Sequence, residues 1–311
     1  MAPGGPVAKT AGCPMGCFLK GVWGLVKVVL ILLVGTLVYF WGQREDVDFD
    51  HGAARGITIT PLRQVVPGPA LPSGLDVMAA NNNLDVVRYQ NRFYFAFRTA
   101  PSHFASTDTR LIVLSSKDLH TWQKETEFAL MESDLREPRF LVYRDALFLY
   151  FFRAGDNPLE FAPQHIYATE RRGDGTWREP EAIYKPGFVV WRAKEHEGTA
   201  YMSVYNGAGI YTTEERPGEV RLLTSEDGYN WQDISEEPQV TEVGAEEAEF
   251  AFDDDGNLVA TVRLEVQGAL VCTAPKDNLA CWECEFTKEK YDSALMFRHE
   301  KDFYVIARDR K

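Results

Sequence analysis

Ser116-Lys117-Asp118-Leu119-His120-Thr121-Trp122 and Ser225-Glu226-Asp227-Gly228-Tyr229-Asn230-Trp231 share the form S-x-D-[LG]-x-x-W. Asp174-Gly175-Thr176-Trp177 and Lys276-Asp277-Asn278-Leu279-Ala280-Cys281-Trp282 are looser copies. The four tryptophans lie 55, 54 and 51 residues apart. A fixed period of this size marks a repeat architecture with one supersecondary unit per period. The Asp of each phrase is placed to accept local amides, which predicts a tight turn with the Trp wedged between units.

Between the tryptophans runs a second recurring element: 93–98, 147–153, 200–206, 258–263 and 303–308 are short aromatic or β-branched runs, each ending in Arg or Asn. Such runs, bounded by turn formers, read as buried strands. Val86–Tyr89 before Gln90-Asn91 and Glu249–Phe252 before Asp254-Asp255-Gly256-Asn257 supply preceding strands. A unit of about 50 residues with four strands is the size of one propeller blade. The predicted fold is therefore all-β, a β-propeller of four-stranded blades, five- or six-bladed when complete. The chain carries four full blades and a partial fifth. Either the segment 56–60 closes the last blade or the chain is a piece of a longer propeller, and an unpaired edge after 303–308 favours the second reading.

Residues 22–41 form an apolar stretch interrupted only by Lys27, close to the ~20 residues that span a bilayer. Lysines precede it and Glu45, Asp46, Asp48 and Asp50 follow. The positive-inside rule then places the N-terminus in the cytoplasm and the propeller on the extracytoplasmic side, periplasmic or cell-surface. No small-residue cleavage site follows, so the segment reads as an uncleaved signal-anchor. The predicted organisation is a cytoplasmic 1–20, a transmembrane helix over 21–42, a proline-containing stalk over 43–75 and the propeller over 76–311. Cys13 and Cys17 sit beside the span as acylation candidates or plain thiols.

A formal net charge of −13 argues against nucleic acid as a partner, which needs a basic face. Cys272, Cys281 and Cys284 are the cysteines beyond the span, and a bridge from Cys272 to either of the others fits an oxidising compartment. A zinc site would need a fourth ligand that the neighbouring sequence does not offer. No metal and no cofactor is expected.

The first strand of a propeller blade lines the central channel, so the residues opening each unit are the candidates for chemistry. They are Asp85, Glu137, Arg192, the pair Glu247 and Glu249, and Tyr291 with Asp292. Carboxylates crowded in one funnel raise each other's pKa, as an acid–base pair requires. Each could equally cap a turn or pair with an arginine. Arg98, Arg153, Arg263 and Arg308 end the same strand in four units. They are read either as a repeated structural salt bridge or as a cationic cluster for a carboxylate or sulfate.

These residues together resemble the sialidase superfamily. The S-x-D-x-x-W turns are similar to its Asp-box repeats, one residue shorter, and their S-x-D-L-x-x-W form also resembles five-bladed arabinanase and invertase-type glycosidases. Glu247 and Arg263, 16 residues apart across Asp255-Gly256, resemble the sialidase glutamate and arginine that flank such a turn. Tyr291-Asp292-Ser293-Ala294-Leu295 resembles the tyrosine phrase, one blade early. The resemblance implies a membrane-anchored glycoside hydrolase on an acidic glycan. Tyr291 and Glu247 would be the nucleophile pair, Asp85 or Glu137 the acid/base, and Arg98, Arg153, Arg192, Arg263 and Arg308 the substrate-binding set. The arabinanase-like alternative gives Asp85, Glu137 and Glu249 the base, modulator and acid roles around a neutral sugar. A non-catalytic propeller that binds glycans or proteins is the third reading.

Overall fold

The aromatic runs are apolar on both sides, and a strand with two apolar sides is stable only between two covering layers. Each of them becomes the second strand of an antiparallel sheet. The computed structural model describes residues 27, 29–32, 34, 58, 61, 63–130, 133–157, 160–207 and 217–308. The first sheet is β1 (Ala80–Tyr89), β2 (Arg92–Ala100), β3 (Arg110–Ser116) and β4 (Gln123–Phe128). The second is β5 (Asp134–Tyr143), β6 (Ala146–Ala154), β7 (Pro163–Arg171) and β8 (Glu181–Ala182). The third is β9 (Phe188–His196), β10 (Thr199–Asn206), β11 (Pro217–Ser225) and β12 (Trp231–Asp233), with β13 (Val240–Val243) also paired to β11. The fourth is β14 (Ala245–Phe252), β15 (Leu258–Leu264), β16 (Ala269–Ala274) and β17 (Glu283–Thr287). The last is a hairpin of β18 (Asp292–His299) and β19 (Asp302–Arg308).

The sheets follow one another in chain order, and the first strands β1, β5, β9, β14 and β18 lie side by side in sequence. This is the predicted arrangement of blades: four sheets of four or five strands and one two-stranded sheet. One apolar cluster runs through the second, third and fourth sheets, and a second joins the first to the second. A third lies on the first sheet around Ile112, Leu114 and Trp122, covered by Val65, Val66, Leu71, Leu75 and Val77 of the lead-in segment.

The repeated phrases form the outer turns, β3 to β4 and β11 to β12. Asp118 accepts from the backbone N–H groups of His120 and Thr121, both at 2.8 Å, and Ser116 Oγ accepts from Leu119 N at 2.9 Å. Asp227 accepts from Tyr229 N at 2.8 Å and Asn230 N at 2.7 Å, and Ser225 Oγ accepts from Gly228 N at 2.9 Å. The backbone bonds to Thr121 and His120 hold the Asp118 carboxyl down at about 2. At Asp227 burial opposes the same effect, and the bonds from Asn230 and Tyr229 still bring it to about 2. Trp231 meets Tyr150 of the preceding sheet edge-on at 5.6 Å, and Trp177 meets Phe128 likewise at 6.1 Å. Trp122 instead packs on Phe95 of its own sheet at 5.6 Å, and its backbone N–H bonds Ala70 O at 3.2 Å. The lead-in segment thus takes the place of a preceding blade there.

Cys272 and Cys284 face each other across β16 and β17 and are disulfide-bonded, which leaves Cys281 as an exposed free thiol. In the N-terminal unit, residues 1–45, the described residues 27, 29–32 and 34 are helical. The rest of the predicted span over 21–42 lies outside the described residues, as do Cys13, Cys17 and, apart from Thr58, the segment 56–60. Among the described residues no helix is long and apolar enough to cross a membrane.

Candidate active site

The five first strands share a defect at one level. Pairing slips between Asn82 and Leu84 in β1, between Arg136 and Arg139 in β5, and between Glu246 and Glu249 in β14. It slips again between Asp292 and Leu295 in β18, and past Trp191 in β9. These are β-bulges, which bend a strand and re-aim its side chains. At four of them the bulged residue takes the left-handed region: Asn83 (φ 43°), Glu137 (52°), Glu247 (50°) and Ser293 (55°). For a non-glycine residue this costs on the order of 1 kcal/mol or more, held only by the surrounding structure. The bulges ring a cavity of about 850 Å³ lined from all five sheets.

Two bulged glutamates face this cavity. Glu137 Oε2 accepts from Arg139 Nη2 at 2.5 Å, and its Oε1 accepts from the Asn83 side-chain amide. Glu247 Oε1 accepts from Arg263 Nη1 at 2.9 Å and its Oε2 from Ser293 N at 2.7 Å. Burial pushes the Glu247 carboxyl above the usual carboxylate range. Arg263 draws it back, the nearby charge of Glu137 adds to the rise, and the balance is upward. Its neighbour Glu246 points into the seam beside Arg263, 3.0 Å away, and burial likewise raises its carboxyl despite that cation.

A second layer lies two residues further along the strands. Arg192 donates from Nη1 to Asp85 Oδ1 at 2.9 Å and from Nε to Glu249 Oε2 at 2.6 Å, tying the first sheet to the third and fourth. Asp85 Oδ2 accepts from Phe140 N at 2.8 Å, and Glu249 Oε1 meets Lys194 Nζ at 2.8 Å. Burial depresses the Lys194 ammonium, with Glu249 opposing it. Both Asp85 oxygens are therefore occupied by protein donors, and Glu249 is fully buried.

Of the residues predicted from sequence, Asp85, Glu137, Glu247, Arg192, Arg263 and Arg308 line the cavity, whereas Tyr291, Glu249, Arg98 and Arg153 do not. The carboxylates fall at different register positions. Asn83, not Asp85, is the counterpart of Glu137 and Glu247, while Asp85 and Glu249 stand two residues beyond their bulges. Arg98, Arg263 and Arg308 pair across from Asn82, Glu246 and Asp292, the residue before each bulge. In β6 that place belongs to Phe152, paired with Arg136, so Arg153 is one residue out of step and faces the other side. Burial and the charge of Glu289 raise the Tyr291 phenol.

Arg98 is fully buried and spends its guanidinium on Asp134 (3.0 Å), Asn82 (3.3 Å), Thr109 (3.4 Å) and two carbonyls. Sequence reading missed Asn83, His103, Arg136, Arg139, Trp191, Tyr205 and Ser293, all on the cavity wall. Asn83, Glu137, Trp191, Glu247 and Ser293 recur at intervals of 54, 54, 56 and 46 residues, but three of the five bear no acid, so no carboxylate pattern could reveal them. Among the described residues no group of three or more His, Cys, Asp or Glu side chains is arranged to hold a metal ion.

No family model and no curated protein matches the chain. Solved structures do. A protein of unknown function from Dyadobacter fermentans is 16% identical with a TM-score of 0.60, over 70% of this chain and 72% of the other. The Hadza microbial sialidase Hz136 is 16% identical with a TM-score of 0.54, over 70% of this chain and 50% of the other. A Trypanosoma rangeli sialidase is 13% identical with a TM-score of 0.55, over 71% of this chain and 42% of the other. This chain has a sialidase-like fold. A family 117 glycoside hydrolase from Zobellia galactanivorans also shares it, at 12% identity and a TM-score of 0.51 over 70% of this chain and 72% of the other. The chain spans about half of Hz136 and about two fifths of the T. rangeli enzyme.

Proposed function

We propose that the bulge-ringed cavity is the active site of a glycoside hydrolase acting on an acidic glycan. One observation carries this reading: Glu137 and Glu247 project from equivalent bulges into the same cavity, with unequal surroundings. Most glycoside hydrolases work with such a pair, one carboxyl that keeps its proton and one that stays ionised. Glu247, raised by burial, is the proton donor to the leaving oxygen. Glu137, whose two oxygens meet Arg139 and Asn83, faces the developing positive charge as base or nucleophile. Arg308, exposed on the cavity wall with its nearest carboxylate, Asp292, 3.8 Å away, favours an anionic substrate. The sialidases sharing the fold support this choice, and with Tyr291 off the cavity the carboxylate pair takes over the role the tyrosine would have had.

A neutral sugar is the second reading. It is favoured by the engagement of Arg136, Arg139, Arg192 and Arg263 on the cavity wall with protein carboxylates, which leaves fewer donors for a substrate anion. Hydrolysis of 4-methylumbelliferyl sialosides and arabinosides by the purified domain separates the two. Replacing Glu247 or Glu137 by Gln should lower kcat on the accepted substrate by roughly 10²–10⁴-fold. Undiminished turnover in both variants would refute the assignment, and no turnover of either sugar by the wild type would favour a binding propeller.

The segment 21–42 is proposed as the signal-anchor that holds the domain on the extracytoplasmic side of a membrane. The Cys272–Cys284 bond supports that compartment, since such bonds persist where the environment is oxidising. Protease protection of the intact cell's propeller, with cleavage only after lysis, would contradict it for a cell-surface placement.

A further inference from the structure

The loop after β2 is held over the cavity by backbone contacts that no glycosidase role requires. Arg98 donates from Nη1 to Ser102 O at 3.1 Å and from Nη2 to Phe104 O at 3.0 Å. Arg136 donates from Nη2 to the carbonyl between them, His103 O, at 2.8 Å. Asp134 ties the two arginines together, at 3.0 Å from Arg98 Nε and 2.5 Å from Arg136 Nε. Three successive carbonyls are thus gripped by an ion triad, fully buried at Arg98 and Asp134, and His103 and Phe104 are carried onto the cavity wall.

The imidazole is oriented as well. Arg98 Nη1 meets Asn82 Oδ1 at 3.3 Å, which turns the Asn82 amide nitrogen outward, and that nitrogen lies 2.9 Å from His103 Nδ1. An amide N–H₂ can only donate, so Nδ1 must accept and the ring proton must reside on Nε2. Protonating Nδ1 would set two donors face to face. Arg98 on β2, Arg136 on β5 and Arg308 on β19 also oppose a positive ring, with Glu137 on β5 acting the other way. Burial and the first two arginines place the ring below its ordinary value.

We propose that Arg98 and Asn82 fix His103 as an Nε2–H hydrogen-bond donor at the cavity rim, where it contacts an oxygen of the bound glycan and sets specificity beside the apolar face of Phe104. This rests on the glycan reading of the cavity. Histidine-selective ¹⁵N NMR of the wild-type protein should show His103 as the Nε2–H tautomer with a midpoint below 6.5. In Asn82→Ala the midpoint should rise and both tautomers appear. With N-acetylneuraminic acid and L-arabinose as probes, His103→Ala should weaken binding of whichever sugar the wild type takes by about tenfold, one hydrogen bond's worth. His103→Gln, which keeps an N–H donor, should recover part of it. An unchanged ring in Asn82→Ala overturns the fixing, and unchanged affinity in His103→Ala overturns the contact while the glycan reading stands. Absence of sugar binding in the wild type itself sinks the glycan reading and the contact with it.

Discussion

The first and fourth sheets are built alike and used differently. In each, an arginine late in the second strand pairs across from the residue before a bulge, Arg98 from Asn82 and Arg263 from Glu246. In each it reaches an aspartate at the start of the next sheet: Asp134 at 3.0 Å and Asp292 at 2.7 Å. Beyond that latch the two diverge. The first-sheet bulge carries Asn83, and Arg98 turns its remaining donors to loop carbonyls. The fourth-sheet bulge carries Glu247, and Arg263 is surrounded by Glu246, Glu247 and Glu265. One device, shared by the first and fourth sheets, therefore serves as a clamp in one place and, with a glutamate on the bulge, supplies a buried acid to the cavity in the other.

Breaking the latch in the first sheet should have the largest effect on stability. Arg98→Ala leaves Asp134 buried without that cation, a change that typically costs about 3–5 kcal/mol. For a domain of this size that lowers Tm by roughly 10 °C, measurable by thermal denaturation. A smaller loss is expected at Cys284. Its bridge to Cys272 closes a 12-residue separation, and Cys284→Ser under non-reducing conditions should cost about 2–3 kcal/mol while sparing sugar hydrolysis.

The smallest effect belongs to the outer turns. Asp227→Ala should lower Tm by about 2–4 °C at neutral pH. Its folded value of about 2 lies below the unfolded one, near 3.9. The contribution is therefore present above pH ~4 and disappears as the pH falls through that window. A Tm gap between wild type and variant that stays constant from pH 7 to pH 2 would show that the ionised carboxylate is not what holds the turn.

The blades were legible in the sequence because their signals are local. The S-x-D-x-x-W phrases encode a turn within seven residues, and the aromatic runs encode strands apolar on both sides. The site was legible only in part. Asp85, Glu137, Arg192 and Glu247, from the openings of their units, lie on the cavity wall, and Arg263 and Arg308 reach it from the ends of second strands. Their register was not readable, because a bulge inserts residues without leaving a composition signal. Asp85 and not Asn83 carries the acid in the first unit, and Arg153 matches the other strand-end arginines in sequence although it is displaced from them by one position in register. Tyr291 illustrates the same limit: it stands just before the last sheet's first strand, yet the bulge that follows delivers Ser293, not the phenol, to the wall. Loop contributions such as His103 depend on contacts between sheets and have no sequence signature.

The division between Glu247, proposed to meet the substrate, and Arg98, which holds its sheet and loop, runs through equivalent latches. It is tested by measuring kcat/KM on the accepted glycoside and Tm together for Glu247→Gln and Arg98→Ala. A carboxyl raised in the folded state stabilises only while it holds its proton and loses that contribution as the pH rises through its folded value. Glu247→Gln at neutral pH should therefore keep or raise Tm while activity falls roughly 10²–10⁴-fold. Arg98→Ala should show its chief loss in Tm. A Glu247→Gln variant that melts early and, while folded, hydrolyses substrate at the wild-type rate would contradict the account.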